Sequence, residues 1–130
     1  MVLDTSAVLA VLFDEPAAPS IEAAIEADAI RLMAAPSALE AAVVVEVRYG
    51  EAGGRELDLL LHKAGVEIVA FDREQMELAR HAYRRFGKGR HQAALNFGDC
   101  FAYALSQRSG EPLLFVGDDF GKTDIVVVEL

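Results

Sequence analysis

Short apolar runs alternate with longer amphipathic stretches from one end of the 130 residues to the other, and this predicts an α/β domain with a mainly parallel central sheet flanked by helices on both faces. Two further observations support that reading. Acids directly follow apolar runs, Asp4 after MVL and Asp118-Asp119 after PLLFVG, where open parallel sheets place their functional crevice. A hydrophobic content of 53% is enough for a sizeable core, so residues 1–130 are expected to form a single domain.

Met1 to Leu3 reads as the first strand. Asp4-Thr5-Ser6 then opens a helix through AVLAVLFDE, and all three side chains are good helix caps. Glu15-Pro16 marks its end, because proline disfavours a helical residue before it. SIEAAIEA forms a second helix with Ile21 and Ile25 on one face, and Ile30 to Met33 a second strand. After Pro36 the valines favour a strand, but Ser37 followed by Glu40 spells a capping box and the run exceeds most strands, so a helix is predicted. Glu40 serves such a box as well as it would serve a site. Gly53-Gly54 is read as a flexible break before a helix over Arg55 to Lys63. Val66 to Phe71 is the third strand, and Asp72 caps a basic helix that ends in the loop GKGRHQAALNFG. Asp99 stands in the first turn of the next helix, where the helix dipole alone favours an acid. Leu113 to Val116 and Ile125 to Val128 complete the strands, with a tight turn at Gly117 to Phe120 between them.

The net charge of −9 opposes a polyanionic partner, but its distribution does not. Between Glu77 and Asp99 there is no carboxylate, while Arg80, Arg84, Arg85, Lys88 and Arg90 supply 5 of the 12 Lys and Arg. Tyr83 and Phe86 interleave with them and would stack on bases if exposed. The same helix reads equally as a solvated basic face over an apolar one. Cys100, without a partner thiol, reads as a small buried hydrophobe, and a reducing cytoplasm is the expected location. No apolar run approaches the roughly 20 residues of a membrane helix. Catalytic-serine motifs, zinc-ligand spacings and phosphate-cradling glycine loops are absent.

Asp4, Glu40, Asp99 and Asp118/Asp119 together read as a metal-dependent nuclease site. With these residues laid out, the whole chain resembles the PIN-domain nucleases, and among them the VapC-type toxins of bacterial toxin–antitoxin pairs. The segments that carry the resemblance are MVLDTSAVLAVLFDEP, the helix start at Glu40, NFGDCFAYALS and PLLFVGDDFGKTDI. The resemblance implies catalytic roles for Asp4, Glu40, Asp99 and Asp118, with Asp4 and Asp99 as metal ligands and Thr5 and Ser6 as supporting hydroxyls. Many family members carry a Thr two residues before the fourth acid. Here Val116 takes that place, and counting from the strand selects Asp118 over Asp119. The resemblance further implies Mg²⁺ as cofactor with Mn²⁺ as its substitute, RNA as substrate, a VapB-type antitoxin as partner, and homodimerisation. For a dimer contact, Val43 to Val47 and Leu57 to Leu61 are candidates, and core packing explains both equally well. The rival reading is a catalytically silent PIN fold that binds antitoxin or RNA.

Overall fold

The computed structural model describes residues 1–130. Four short parallel strands, β1 (Val2–Leu3), β2 (Leu32–Ala34), β3 (Glu67–Val69) and β4 (Leu113–Leu114), form one sheet in the order β3-β2-β1-β4. The helices are α1 (Thr5–Leu12), α2 (Ala18–Ala27), α3 (Ala35–Lys63), α4 (Arg73–Phe86) and α5 (Phe97–Ser109), followed by a 3₁₀ turn at Phe120–Lys122. None of the helices is long and apolar enough to cross a membrane.

Successive strand residues point to opposite faces, and this divides the core in two. Val2, Ala34 and Leu113 pack with Ala79, Ala82, Phe86, Ala102 and Leu105 of α4 and α5. Their neighbours Leu3, Met33 and Leu114 pack on the other face, with Ala7, Val8, Ile21, Ala41 and Leu57 of α1, α2 and α3. Strands of two or three residues suffice because all six of these side chains are fully buried.

Three local expectations are corrected. Ser37 and Glu40 form no capping box: α3 begins earlier, at Ala35, with Ala34 at the cap position and no side-chain cap bond. Proline fits this first turn because its missing N–H would have no intrahelical partner, and Ser37 is carried into a buried position where its Oγ has no partner. The break in α3 falls at Gly50 (φ 69°, ψ −160°), a conformation that favours glycine, and not at Gly53-Gly54. Gly53 lies inside the second helical segment, where a Cβ would come within 2.7 Å of Val45 Cγ1, so the absent side chain permits close packing. Finally, the expected strand at Ile125 to Val128 is reduced to a single bridge between Leu113 and Val127.

Candidate active site

The chain builds β1, β2 and β3 outward in one direction and then returns to set β4 on the other side of β1. The strand order therefore reverses between β1 and β4, and the crevice beyond their carboxyl ends is where such sheets hold ligands. Asp4 is the first residue after β1 and the N-cap of α1. Its Oδ2 accepts from Ser6 N at 3.1 Å and from Ser6 Oγ at 2.6 Å. Ser6 Oγ in turn accepts from Val116 N at 3.0 Å, so one hydroxyl ties the Asp4 carboxylate to the chain leaving β4. Thr5 turns elsewhere: its Oγ1 donates to Ser37 O at 3.0 Å and joins α1 to the first turn of α3.

Asp99 sits in the first turn of α5, in a capping box different from the one expected around Ser37. Asn96 Oδ1 accepts from Asp99 N, and Asp99 Oδ2 accepts from Asn96 N, both at 2.9 Å. The cap engages Oδ2 and leaves Oδ1 without a protein donor. Glu40, on the first turns of α3, reaches across to α5 and lies against Gly98. A Cβ at position 98 would fall 2.9 Å from Glu40 Cδ and nearer still to Oε2. Gly98 was missed in the sequence, where a glycine directly before a first-turn aspartate was the available signal.

The fourth acid of the sequence reading, Asp118, lies beside Asp119 on the loop after β4. Asp118 and Asp119 are both exposed, after a turn in which Gly117 has φ 117°. The charge that acts on Asp99 from this loop is that of Asp119, and Asp118 does not figure among the groups acting on Asp4 or Asp99. Asp4, Glu40 and Asp99 thus lie within reach of one another's charge, and Asp119 within reach of Asp99.

These carboxylates have no protein counter-charge, because every ion pair in the chain uses Asp28, Glu111, Asp124, Asp72 or Glu74 instead. Burial pushes Asp4 up from 3.8 to about 6, opposed by its bonds from Ser6 and reinforced by the charges of Asp99 and Glu40. Asp99 is likewise raised, first by burial and then by Asp119 and Glu40, against the bond from Asn96. A site that raises its own acids in this way favours a cation. The donor set is all oxygen, which suits a hard divalent ion. No three carboxylates close on a common point, so such an ion would take one or two of them and complete its shell with water, the habit of Mg²⁺.

The basic segment divides into residues with different roles. Arg80, Arg84 and Arg90 line a groove of about 620 Å³ between α4 and α5, with Tyr83, Phe97 and Phe101 among its walls. Phe86 is buried and cannot meet a base, whereas Tyr83 is partly exposed. Arg85 turns away to Asp124, with Nη1 to Oδ2 at 3.1 Å, and Asp124 also accepts from the Tyr103 hydroxyl. Lys88 is exposed in the loop, its backbone N bonded to Leu95 O. On the RNA-substrate expectation from the sequence, Arg84→Ala is expected to flatten the salt dependence of single-stranded RNA binding by roughly 0.7 in slope, the loss of about one phosphate contact. Arg85→Ala is expected to leave that slope unchanged and to cost at most about 1 kcal/mol of stability, as exposed pairs do. Binding isotherms at several salt concentrations check both, and equal slopes for the two variants would return Arg84 to a merely solvated face.

A parallel α/β domain with unpaired acids at its topological switch point is the architectural class. Comparison with known proteins narrows it. The PIN domain family model matches residues 1–126. Ribonuclease VapC30 of Mycobacterium tuberculosis is 60% identical over 130 residues, covering 100% of this chain and 99% of that one. Among solved structures, Mycobacterium tuberculosis VapC20, described as a sarcin–ricin loop cleaving toxin, superposes with a TM-score of 0.78 at 14% identity, covering 98% of this chain and 97% of that one. VapBC2 of Rickettsia felis, solved bound to a DNA fragment from its promoter, gives 0.73 at 14% identity, with 98% and 96% covered. The chain belongs to the PIN-domain family, on its VapC ribonuclease branch.

Proposed function

We propose that the chain is the toxin of a type II toxin–antitoxin pair and acts as a Mg²⁺-dependent endoribonuclease. The observation that carries this reading is that Asp4, Glu40 and Asp99 act on one another's charge while none of them has an ion-pair partner. Asp4 and Asp99 would hold the ion, each offering the Oδ1 that no protein donor engages. Bound there, Mg²⁺ supplies Lewis acidity toward a phosphate oxygen and acidifies a water at neutral pH. Ser6 keeps the Asp4 carboxylate fixed against the end of β4. Glu40 orients the attacking water and takes its proton, and Asp119 closes the loop side of the crevice. Addition of water at phosphorus with departure of the 3′ oxygen, which picks up a proton, gives 5′-phosphate and 3′-hydroxyl ends.

The partners proposed are a VapB-type antitoxin and a second copy of the chain. Leu39, Val43 and Val47, four residues apart on α3, form an exposed apolar row available for protein contact, whereas Leu57 belongs to the core. The test is cleavage of total RNA with end mapping, in Mg²⁺ and in chelator, by the parent and by Asp99→Asn. Discrete cuts that need both the metal and Asp99 are expected. RNA left intact by a folded, metal-binding parent would favour the silent binding module.

A further inference from the structure

The groove between α4 and α5 has three features that belong together. Its walls are aromatic, with Phe97 the most exposed large ring of the chain at 79% and Tyr83 at 39%. Phe97 is held outward by an edge-to-face ladder, Phe97 on Phe101 (centroids 4.8 Å apart, 76°) and Phe101 on Phe71 (5.2 Å, 80°). Its cations, Arg80, Arg84 and Arg90, take part in no ion pair although the chain carries 21 carboxylates. Its size, about 620 Å³, is that of a small-ligand site.

Position adds a fourth constraint. Phe97 begins α5 and Asp99 lies two residues on, in the same turn. Side chains two apart on a helix point to different sides, so the groove and the acid crevice flank the start of α5, separated by about one helix diameter, roughly 10–12 Å.

We infer that this groove is a subsite for one unpaired base of the RNA substrate, flanking the scissile phosphate, with Phe97 and Tyr83 as stacking faces and Arg80, Arg84 and Arg90 on the adjoining phosphates. The inference rests on the ribonuclease reading and deepens it. Charge decides the occupant: three unpaired guanidiniums beside exposed rings suit a base with its phosphate, since rings accept any base face and arginines the backbone. A duplex would keep its bases stacked away from the rings, so the subsite selects single-stranded or looped RNA.

The chain contains no tryptophan, which makes Phe97→Trp a unique reporter. It is placed in the full chain carrying Asp4→Asn, so that binding is read without cleavage. A mixed-sequence single-stranded oligoribonucleotide of about ten nucleotides, within the usual site sizes, is expected to quench its fluorescence. The same sugar-phosphate chain with abasic positions is not. Phe97→Ala is expected to weaken oligonucleotide binding roughly 5- to 150-fold, as loss of one stacked base does, with Phe97→Tyr restoring it and thermal melting unchanged. Equal quenching by the abasic strand, or undiminished binding and cleavage by Phe97→Ala, would overturn the subsite. So would conversion of Phe97→Ala from dimer to monomer in sedimentation at unchanged cleavage per chain, which would give the groove to a protein partner. Cleavage by the otherwise native parent is measured alongside. Its failure would count against the ribonuclease reading, while the binding measurements still decide the groove.

Discussion

Asp4→Asn is expected to abolish RNA cleavage and to make the metal-free protein more stable at neutral pH. Both results come from one carboxylate. As a proposed ligand, its loss should cost more than the roughly 10- to 100-fold typical of residues that only support a ligand. As an acid buried to 5% exposure and raised from 3.8 to about 6, it is a burden when ionised. The folded state holds the Asp4 proton more tightly than the unfolded state, so the contribution of Asp4 to stability is complete below pH 3.8 and is lost as pH rises to about 6. The shift amounts to about 3 kcal/mol across that window, at 1.36 kcal/mol per unit. Asparagine keeps an oxygen for the Ser6 N–H and a cap for α1 but has no proton to lose. Denaturant melts of parent and variant in chelator between pH 4 and 7 check this. The variant should gain on the parent as pH rises through the window, and parallel curves would mean that Asp4 is not desolvated. Added Mg²⁺ should close the gap by stabilising the parent alone. Because the ligand must be ionised, cleavage at limiting Mg²⁺ should fall as pH drops through about 6 and recover at higher Mg²⁺.

How much of this was legible in the sequence depends on whether the signal was local. Asp4 and Asp99 were legible because each follows a clear boundary, the end of an apolar run and the start of a helix. The division of Val2 from Leu3 between two cores follows from strand alternation alone. The capping box at Ser37 was misread because the motif fixes only a spacing, and the helix start is set instead by where β2 ends and where Pro36 fits. The break at Gly50 was misplaced because composition marks Gly53-Gly54 as flexible, whereas Gly53 is a glycine because a side chain there would meet Val45. Arg85 was counted with the phosphate contacts because its partner Asp124 lies 39 residues away.

Gly98→Ala is expected to leave the fold intact and impair cleavage at least about 10-fold. An added Cβ would fall within 3.0 Å of the Glu40 carboxylate, closer than real side chains approach, so one of the two groups must move. The backbone of α5 is fixed by the Asn96–Asp99 box and by the burial of Cys100, Ala102 and Tyr103. Glu40 is an exposed, flexible side chain and is the one that yields. Stability should therefore hold or rise slightly, since alanine is the better helix former by up to about 1 kcal/mol. Activity should fall because Glu40 no longer faces Asp99. A double-mutant cycle separates this from damage to α5: with Glu40→Ala already in place the new methyl has nothing to displace, so Gly98→Ala should add little further loss. Additive losses would mean that Gly98 acts through the helix and not through Glu40. A fully active Gly98→Ala would show that cleavage does not depend on where that carboxylate rests. The position that leaves room for the glutamate is thus a residue with no side chain, and its role becomes visible only once α3 and α5 are placed together.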